Sequence, residues 1–431
     1  MPKIWPGQNF VTNAEKSINF TIDHQCPQCG APAQINETDR LFRCRFCKVS
    51  SYLLEHRFFR YLLPSNAPTN KELIYFPYWR FKGMLFSCLP SGIQNRFLDV
   101  SHQAVQSPIF PASVGLRSQA MKLRFVSPDT AGWFLRPTLP FKQVMQTFLD
   151  RFNRDLPSPV LHQSHIGESL SMIYAPFYKD QLYAGQQIVD AVLNQPVSKA
   201  MDEPFDVNTW SGGPADYRIN FIPTLCPHCG WDMQGSRDAL VLHCNNCASM
   251  WKASQKGMTR VNVAHLPADT GNEIVYLPFW RIRADVLGIS LATYADLIKV
   301  ANLPKVVQPG WNKRRFYFWG PAFKLQPRSF LRLTHHITVS QPFDELVAKI
   351  PKGAMHPVNL PVSESAETLK LNVAGIMRPQ KRVETHIAEI NTTPRGYLLV
   401  YLPFEKHHHD LVQTTFGIAI NRNQLALSTN L

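Results

Sequence analysis

Ile74-Tyr75-Phe76-Pro77-Tyr78-Trp79-Arg80-Phe81-Lys82 returns 201 residues later as Val275-Tyr276-Leu277-Pro278-Phe279-Trp280-Arg281-Ile282-Arg283. Its Tyr-x-Pro core occurs twice more, at Tyr174/Pro176 and Tyr401/Pro403. As a strand, the first copy would set Tyr75, Pro77, Trp79 and Phe81 on one face and Phe76, Tyr78, Arg80 and Lys82 on the other. Proline removes a ladder donor, so these segments are expected at sheet edges or bulges.

The matching extends outward. Cys26-Pro27-Gln28-Cys29-Gly30 with Cys44-Arg45-Phe46-Cys47 answers Cys226-Pro227-His228-Cys229-Gly230 with Cys244-Asn245-Asn246-Cys247, every cysteine at offset 200. Leu139-Pro140-Phe141 aligns with Gln341-Pro342-Phe343, and Ser164-His165-Ile166-Gly167-Glu168 with Thr385-His386-Ile387-Ala388-Glu389. Ile173–Phe177 matches Val400–Phe404 only if the second copy carries an insertion of about 25 residues, placed at Pro351–Leu369 and read as a surface loop. The expected organisation is an α+β, mainly β, internally duplicated protein of two halves. Residues 1–205 would hold a metal-binding hairpin at about 20–55 and a β-rich domain at about 56–200. Residues 206–431 would repeat this at about 218–255 and 256–431.

Met121–Val126 and Phe330–Thr334 alternate apolar and basic residues and read as strands. The 34 prolines disfavour long helices, leaving helices at 140–153, 342–350 and 181–193.

A Cys-x-x-Cys knuckle folds two thiolates onto one ion, and two knuckles on a hairpin complete a tetrahedral sulfur shell that suits zinc. The spacer between knuckles is 14 residues in both copies. Each cluster therefore resembles a zinc ribbon built from rubredoxin-type knuckles, over about 25 to 40 positions per half. The resemblance implies two structural zinc ions, ligated by Cys26, Cys29, Cys44 and Cys47 and by Cys226, Cys229, Cys244 and Cys247. Ribbons of this kind occur in transcription and replication factors, ribosomal proteins and many enzymes, so function does not follow from them. Iron rubredoxins usually carry glycine shortly after both knuckles. Lys48 and Ala248 depart from that pattern, which favours zinc over iron. The ninth cysteine, Cys88, lies in an apolar run and reads as a core residue.

The chain has 431 residues, 45% of them hydrophobic and 18% charged, which excludes global disorder. No apolar run approaches the roughly 18–20 residues needed to span a bilayer. Residues 1–7 carry no secretory signal, and the cysteine usage suits a cytoplasmic protein that keeps its thiols reduced.

The formal charge is +14. No acid lies between Asp296 and Asp344, while Lys299, Lys305, Lys313, Arg314, Arg315, Lys324, Arg328 and Arg332 do, interleaved with Trp311, Phe316, Tyr317, Phe318 and Trp319. Residues 299–332 could neutralise phosphates and stack bases. The competing reading is a solvated strand pair with its aromatics in the core. Trp79-Arg80 and Trp280-Arg281 offer a second stacking and cationic surface, against the alternative of plain core strands.

Catalysis has little support: no phosphate-cradling glycine loop, nucleophile elbow or His-Glu-x-x-His helix is present. His165/Glu168 and His386/Glu389 are better read as strand-terminating residues, and His407-His408-His409-Asp410 as an adventitious metal-binding run or a solvated turn. The sequence thus points to a non-catalytic binding or assembly protein with a protein partner. Nucleic-acid binding through Lys313, Arg314, Arg315, Lys324 and Arg328 is the alternative, and a metal-dependent or redox enzyme component comes third.

Overall fold

Each Tyr-x-Pro segment lies inside a long strand, toward the start of the first and third and toward the end of the second and fourth. In the computed structural model, which describes residues 20–54, 57–182, 185–199, 205–210, 212–268, 273–342 and 345–428, these strands are β1 (Leu73–Leu89), β2 (His162–Leu182), β3 (Ile274–Leu287) and β4 (Asn391–Lys406). β1 and β2 pair antiparallel so that Pro77 faces Tyr174 and Tyr75 faces Pro176. β3 and β4 repeat the arrangement, Pro278 facing Tyr401 and Tyr276 facing Pro403.

The prolines are therefore central, contrary to the edge or bulge expected, and hydrogen bonding shows why the sheet tolerates them. On its outer side β1 first runs parallel to Trp133–Phe134 and then antiparallel to Gly92–Gln103. Pro77 sits where one neighbour ends and the next begins, between Leu135 N–H donating to Tyr75 O (3.0 Å) and Ala104 N–H donating to Pro77 O (2.9 Å). β2 changes neighbour in the same way, from parallel Phe59–Leu62 to antiparallel Gly185–Asp190. β3 passes from parallel Ala354–Met355 to antiparallel Phe318–Pro321. β4 passes from parallel Val263–His265 to antiparallel Asp410–Gln413. At each junction the missing N–H faces a gap in the ladder.

The result is a mostly β chain with two curled half-barrel sheets, one of ten strands and one of seven. The faces of β1 divide as the alternation predicts. Tyr75, Trp79, Phe81 and Leu85 enter one core with the helix Phe141–Asn153, while Ile74, Phe76 and Tyr78 enter another. Met84, Phe86 and Cys88 extend into the core of the second sheet, where Phe86 packs on Phe330.

The two sheets share further construction. Trp79 Nε1–H donates to Leu139 O (2.8 Å) and Trp280 Nε1–H to Leu360 O (2.9 Å). Thr138 and Leu139 N–H both donate to Ala104 O, as Asn359 and Leu360 N–H both donate to Ala322 O. By position in the fold, Leu139 corresponds to Leu360 rather than to Gln341.

Several other expectations are corrected. Residues 351–369 are no surface loop: Val358 and Leu360 are buried, Ala354–Met355 joins the sheet, and Val362–Glu367 is helical. The strand expected at Phe330–Thr334 is part of the helix Pro327–Ser340, with proline at its start and Phe330, Leu331, Leu333, Thr334, Ile337 and Thr338 turned inward. Residues 181–193 form the end of β2 and the strand Gly185–Asp190 instead of a helix. Of 342–350, the described residues are non-helical, while Phe343 lies outside them. His165 is within β2 but His386 ends the helix Lys381–His386, so the His-Ile-x-Glu pair occupies unlike places. The boundary near 205 borders residues 200–204, outside the described residues, as are residues 1–7.

Trp79, Arg80 and Trp280 are 6%, 1% and 2% exposed, so they form no partner surface. Arg80 reaches Asp99 through both Nε (2.8 Å) and Nη2 (2.9 Å), pairs with Glu37 through Nη1, and lies over the Phe20 ring. The two carboxylates hold it firmly protonated against the cost of burial. Arg281, at the matching place in β3, lies over Tyr317 (4.6 Å) and has no carboxylate partner among the described residues.

Truncating Arg80 strands two carboxylates in the interior, and Arg80→Ala is expected to lower unfolding stability in denaturant by about 3–5 kcal/mol. Arg281→Ala should cost about 1 kcal/mol, the scale of a cation–π contact. Equal losses would show that the two matching positions carry equal burdens.

Candidate metal centres

The first cluster is built by two turns. Cys26 N–H donates to Ala31 O and Gly30 N–H to Cys26 O, while Cys44 N–H donates to Val49 O and Lys48 N–H to Cys44 O. The second repeats the first turn: Cys226 N–H to Trp231 O and Gly230 N–H to Cys226 O, both 2.8 Å. Gly30 and Gly230 take left-handed φ values of 71° and 72°, which costs glycine little. Lys48 and Ala248 take φ values of 63° and 47°, in the region where a side chain is strained. The departure from glycine noted in the sequence thus falls on a position whose backbone favours glycine.

Within each cluster the four Sγ atoms lie within 4.8 Å of one another. Cys26 and Cys47 are 3.8 Å apart, Cys29 and Cys44 3.7 Å, Cys226 and Cys247 3.6 Å, and Cys229 and Cys244 3.5 Å. A regular tetrahedron with metal–sulfur bonds of about 2.3 Å has edges of about 3.8 Å, whereas a disulfide brings sulfurs to about 2.05 Å. All eight cysteines are free thiols, and this donor set fits two metal ions. Cys88 is fully buried in the core, and burial pushes its thiol up to about 11.

In each cluster one thiol is drawn down and a neighbour is pushed up: burial and the adjacent sulfurs raise Cys47 to about 11 and Cys244 to about 12. The N–H of Cys47, with that of Phe46, draws Cys44 down to about 6. Burial would raise Cys226, but the N–H groups of His228 and Cys229 outweigh it and bring it to about 6. A bound metal would be held by thiolates and would brace the turns around it.

The second cluster has an outer layer that the sequence did not reveal. Ser249 Oγ lies 2.9 Å from Cys247 Sγ and receives a hydrogen bond from Trp251 Nε1–H (2.8 Å). Val49 and Ser51 stand at the matching positions of the first cluster.

The clusters are also joined, which separate halves would not require. Asn220–Pro223, leading into the second cluster, pairs antiparallel with Ser50–Leu54 of the first. His24 stacks on Phe221 (5.0 Å), and Tyr52 shares a core with Cys226, Cys244 and Trp251.

The basic segment is divided by the fold. Phe316, Phe318 and Trp319 are buried, Trp311 is half-buried against Tyr294, and Lys324 is only 5% exposed. Lys313, Arg314, Arg315 and Arg328 remain exposed. Cations and aromatics therefore do not form the interleaved stacking surface anticipated.

No protein-family model, curated protein or solved structure matches this chain. No helix among the described residues is long and apolar enough to cross a membrane.

Elemental analysis is expected to find two metal ions per chain, and Cys226→Ser to remove one. Metal release followed spectroscopically should rise as acid protonates the sulfurs, because only thiolates ligate the ion; occupancy indifferent to strong acid would contradict the ligand assignment. Separately, Ala248→Gly relieves a left-handed side chain and should stabilise the metal-bound protein by about 1 kcal/mol in denaturant.

Proposed function

We propose that this chain is a non-catalytic binding and assembly protein whose two zinc ribbons present apolar side chains to a protein partner. The observation that carries the reading is the exposure of Phe46 (67%) and Trp231 (59%) at the metal-binding turns. Val49 (42%) and Leu225 (52%) flank them. Large apolar side chains held outward by a rigid turn lose little entropy on docking, and aromatics of this kind dominate interface energetics. Zinc is the metal this reading assigns, on the all-thiolate donor set and near-tetrahedral spacing. Thiols kept free in both clusters presuppose a reducing compartment, and the cytoplasm supplies one.

The reading includes an origin by duplication, each half carrying a ribbon and a pair of related strands. The matched Tyr-x-Pro junctions and the matched Trp79 and Trp280 hydrogen bonds support it. Nucleic-acid binding through Lys313, Arg314, Arg315 and Arg328 ranks second, because those cations remain exposed while the aromatics that would stack bases are turned inward.

Phe46→Ser and Trp231→Ser are surface changes that should leave metal content and thermal stability at the parent level. Each should reduce recovery of a partner that copurifies with the untagged parent by about tenfold, the scale of a lost aromatic anchor. Undiminished recovery with both variants would remove the partner surface from these turns.

A further inference from the structure

Beside the second cluster lies a cleft of about 1070 Å³, walled by the Cys244–Met250 turn, the strand Gly257–Val261, β3 and residues 346–352. Four of its lining residues are cations, Arg260, Arg281, Lys349 and Lys352, and none of the described lining residues is a carboxylate. They come from three separate stretches of chain, so helix or strand periodicity does not explain their convergence. Arg260, Lys349 and Lys352 enter no ion pair among the described residues. Arg281 is half-buried over the Tyr317 ring and enters no ion pair among the described residues.

The wall carrying the lysines is fixed. His265 and Val347 exchange backbone hydrogen bonds (3.0 and 2.9 Å), His265 Nδ1 lies 2.8 Å from Lys349 O, and Pro351 is buried. By contrast, the cleft of about 1150 Å³ beside the first cluster mixes Arg43, Arg45, Lys48 and Arg237 with Asp23 and Asp39. Four cations lining one cleft with no carboxylate among the described lining residues repel one another, and a bound anion relieves that repulsion.

We propose that this cleft binds a small ligand bearing two or more phosphate groups, held by Arg260, Arg281, Lys349 and Lys352. Arginine forks suit phosphate oxygens in pairs and lysine supplies point charges, as phosphate sites generally use them. The volume suits a small molecule. Among the described residues no Phe, Tyr or Trp lines the cleft, so it lacks the large stacking platform that a single-stranded nucleic acid uses. The proposal stands apart from the partner surface at Phe46 and Trp231.

The test is calorimetric titration of the full metal-bearing chain with sodium tripolyphosphate in physiological salt. One saturable site is expected. Arg260→Ala, and separately the pair Lys349→Ala with Lys352→Ala, should each weaken it about tenfold or more, the scale of a lost charge-assisted hydrogen bond. Metal content should stay at the parent level, and Lys142→Ala on the exposed face of the helix Phe141–Asn153 should leave affinity unchanged. Absence of a saturable site, or affinity indifferent to the cleft variants, overturns the proposal. So does metal loss in those variants, which would assign the cations to balancing thiolate charge. Citrate binding as tightly as tripolyphosphate would overturn the phosphate assignment, and single-stranded DNA binding more tightly at the same residues would replace the small ligand with a nucleic acid.

Discussion

A proline in the middle of a sheet is tolerated only where the ladder has no use for its missing N–H, and the fold is arranged around four such places. Pro77, Pro176, Pro278 and Pro403 each stand where the outer neighbour of a long strand changes from a parallel to an antiparallel partner. Because each proline lies across from a Tyr of the partner strand, the two junctions in a pair are locked in register. A slip of one residue would move Phe76 and Tyr78 into the core that holds Tyr75 and Trp79, and would set each proline against a continuous neighbour. The junctions also fix where the chain must leave the sheet, and the segments that leave there carry Leu139 and Leu360, the acceptors of the two tryptophan hydrogen bonds.

That constraint was half legible in the sequence. The recurrence of Tyr-x-Pro and the two-residue period of Tyr75 to Lys82 gave the strands and their faces, and the cysteine spacing gave the ligand sets. The prolines' place inside the sheet is not legible there, because a lone sequence shows a missing donor but not whether its neighbour is interrupted. Phe330–Thr334 was misread because five residues fit either period; the deciding positions, Ile337 and Thr338, lie one turn further on. The proline- and serine-bearing stretch 351–369 looked solvated, yet Val358 and Leu360 belong to the main core and Ser365 and Thr368 are buried in its helical turns. Composition alone does not distinguish polar residues that cap backbone from those that face water.

Arg80 and Arg281 show how one frame can serve different ends. Both follow a tryptophan that anchors the sheet, and both project from a central strand. Arg80 finds Glu37, in the turn after Pro32–Asn36, and Asp99, on Gly92–Gln103, so its charge is consumed inside the protein. Arg281 lies over an aromatic ring, has no carboxylate partner among the described residues, and lines the cleft. No local motif announces this divergence, because the partners that decide it arrive from elsewhere in the chain. The metal centres diverge likewise: Ser249 and Trp251 brace the second cluster where Val49 and Ser51 stand in the first.

The metal centres are not independent hairpins appended to two domains. The strand entering the second cluster completes the sheet of the first, and Arg237 O accepts from both Arg40 and Leu41 N–H. The second cluster is tied in turn to the larger fold, by Leu240 N–H to Val358 O and by Asn359 Nδ2–H to Asp238. Asn359 is also one of the residues that donate to Ala322 O beside the Pro278 junction. A continuous set of hydrogen bonds therefore runs from the first thiolate cluster through the second to the centre of the seven-stranded sheet. Small hairpins of this kind bury too little to be stable alone. Here Tyr52, from the hairpin of the first cluster, packs in the core that holds Cys226, Cys244 and Trp251, so each hairpin gains from its neighbour the burial it lacks alone.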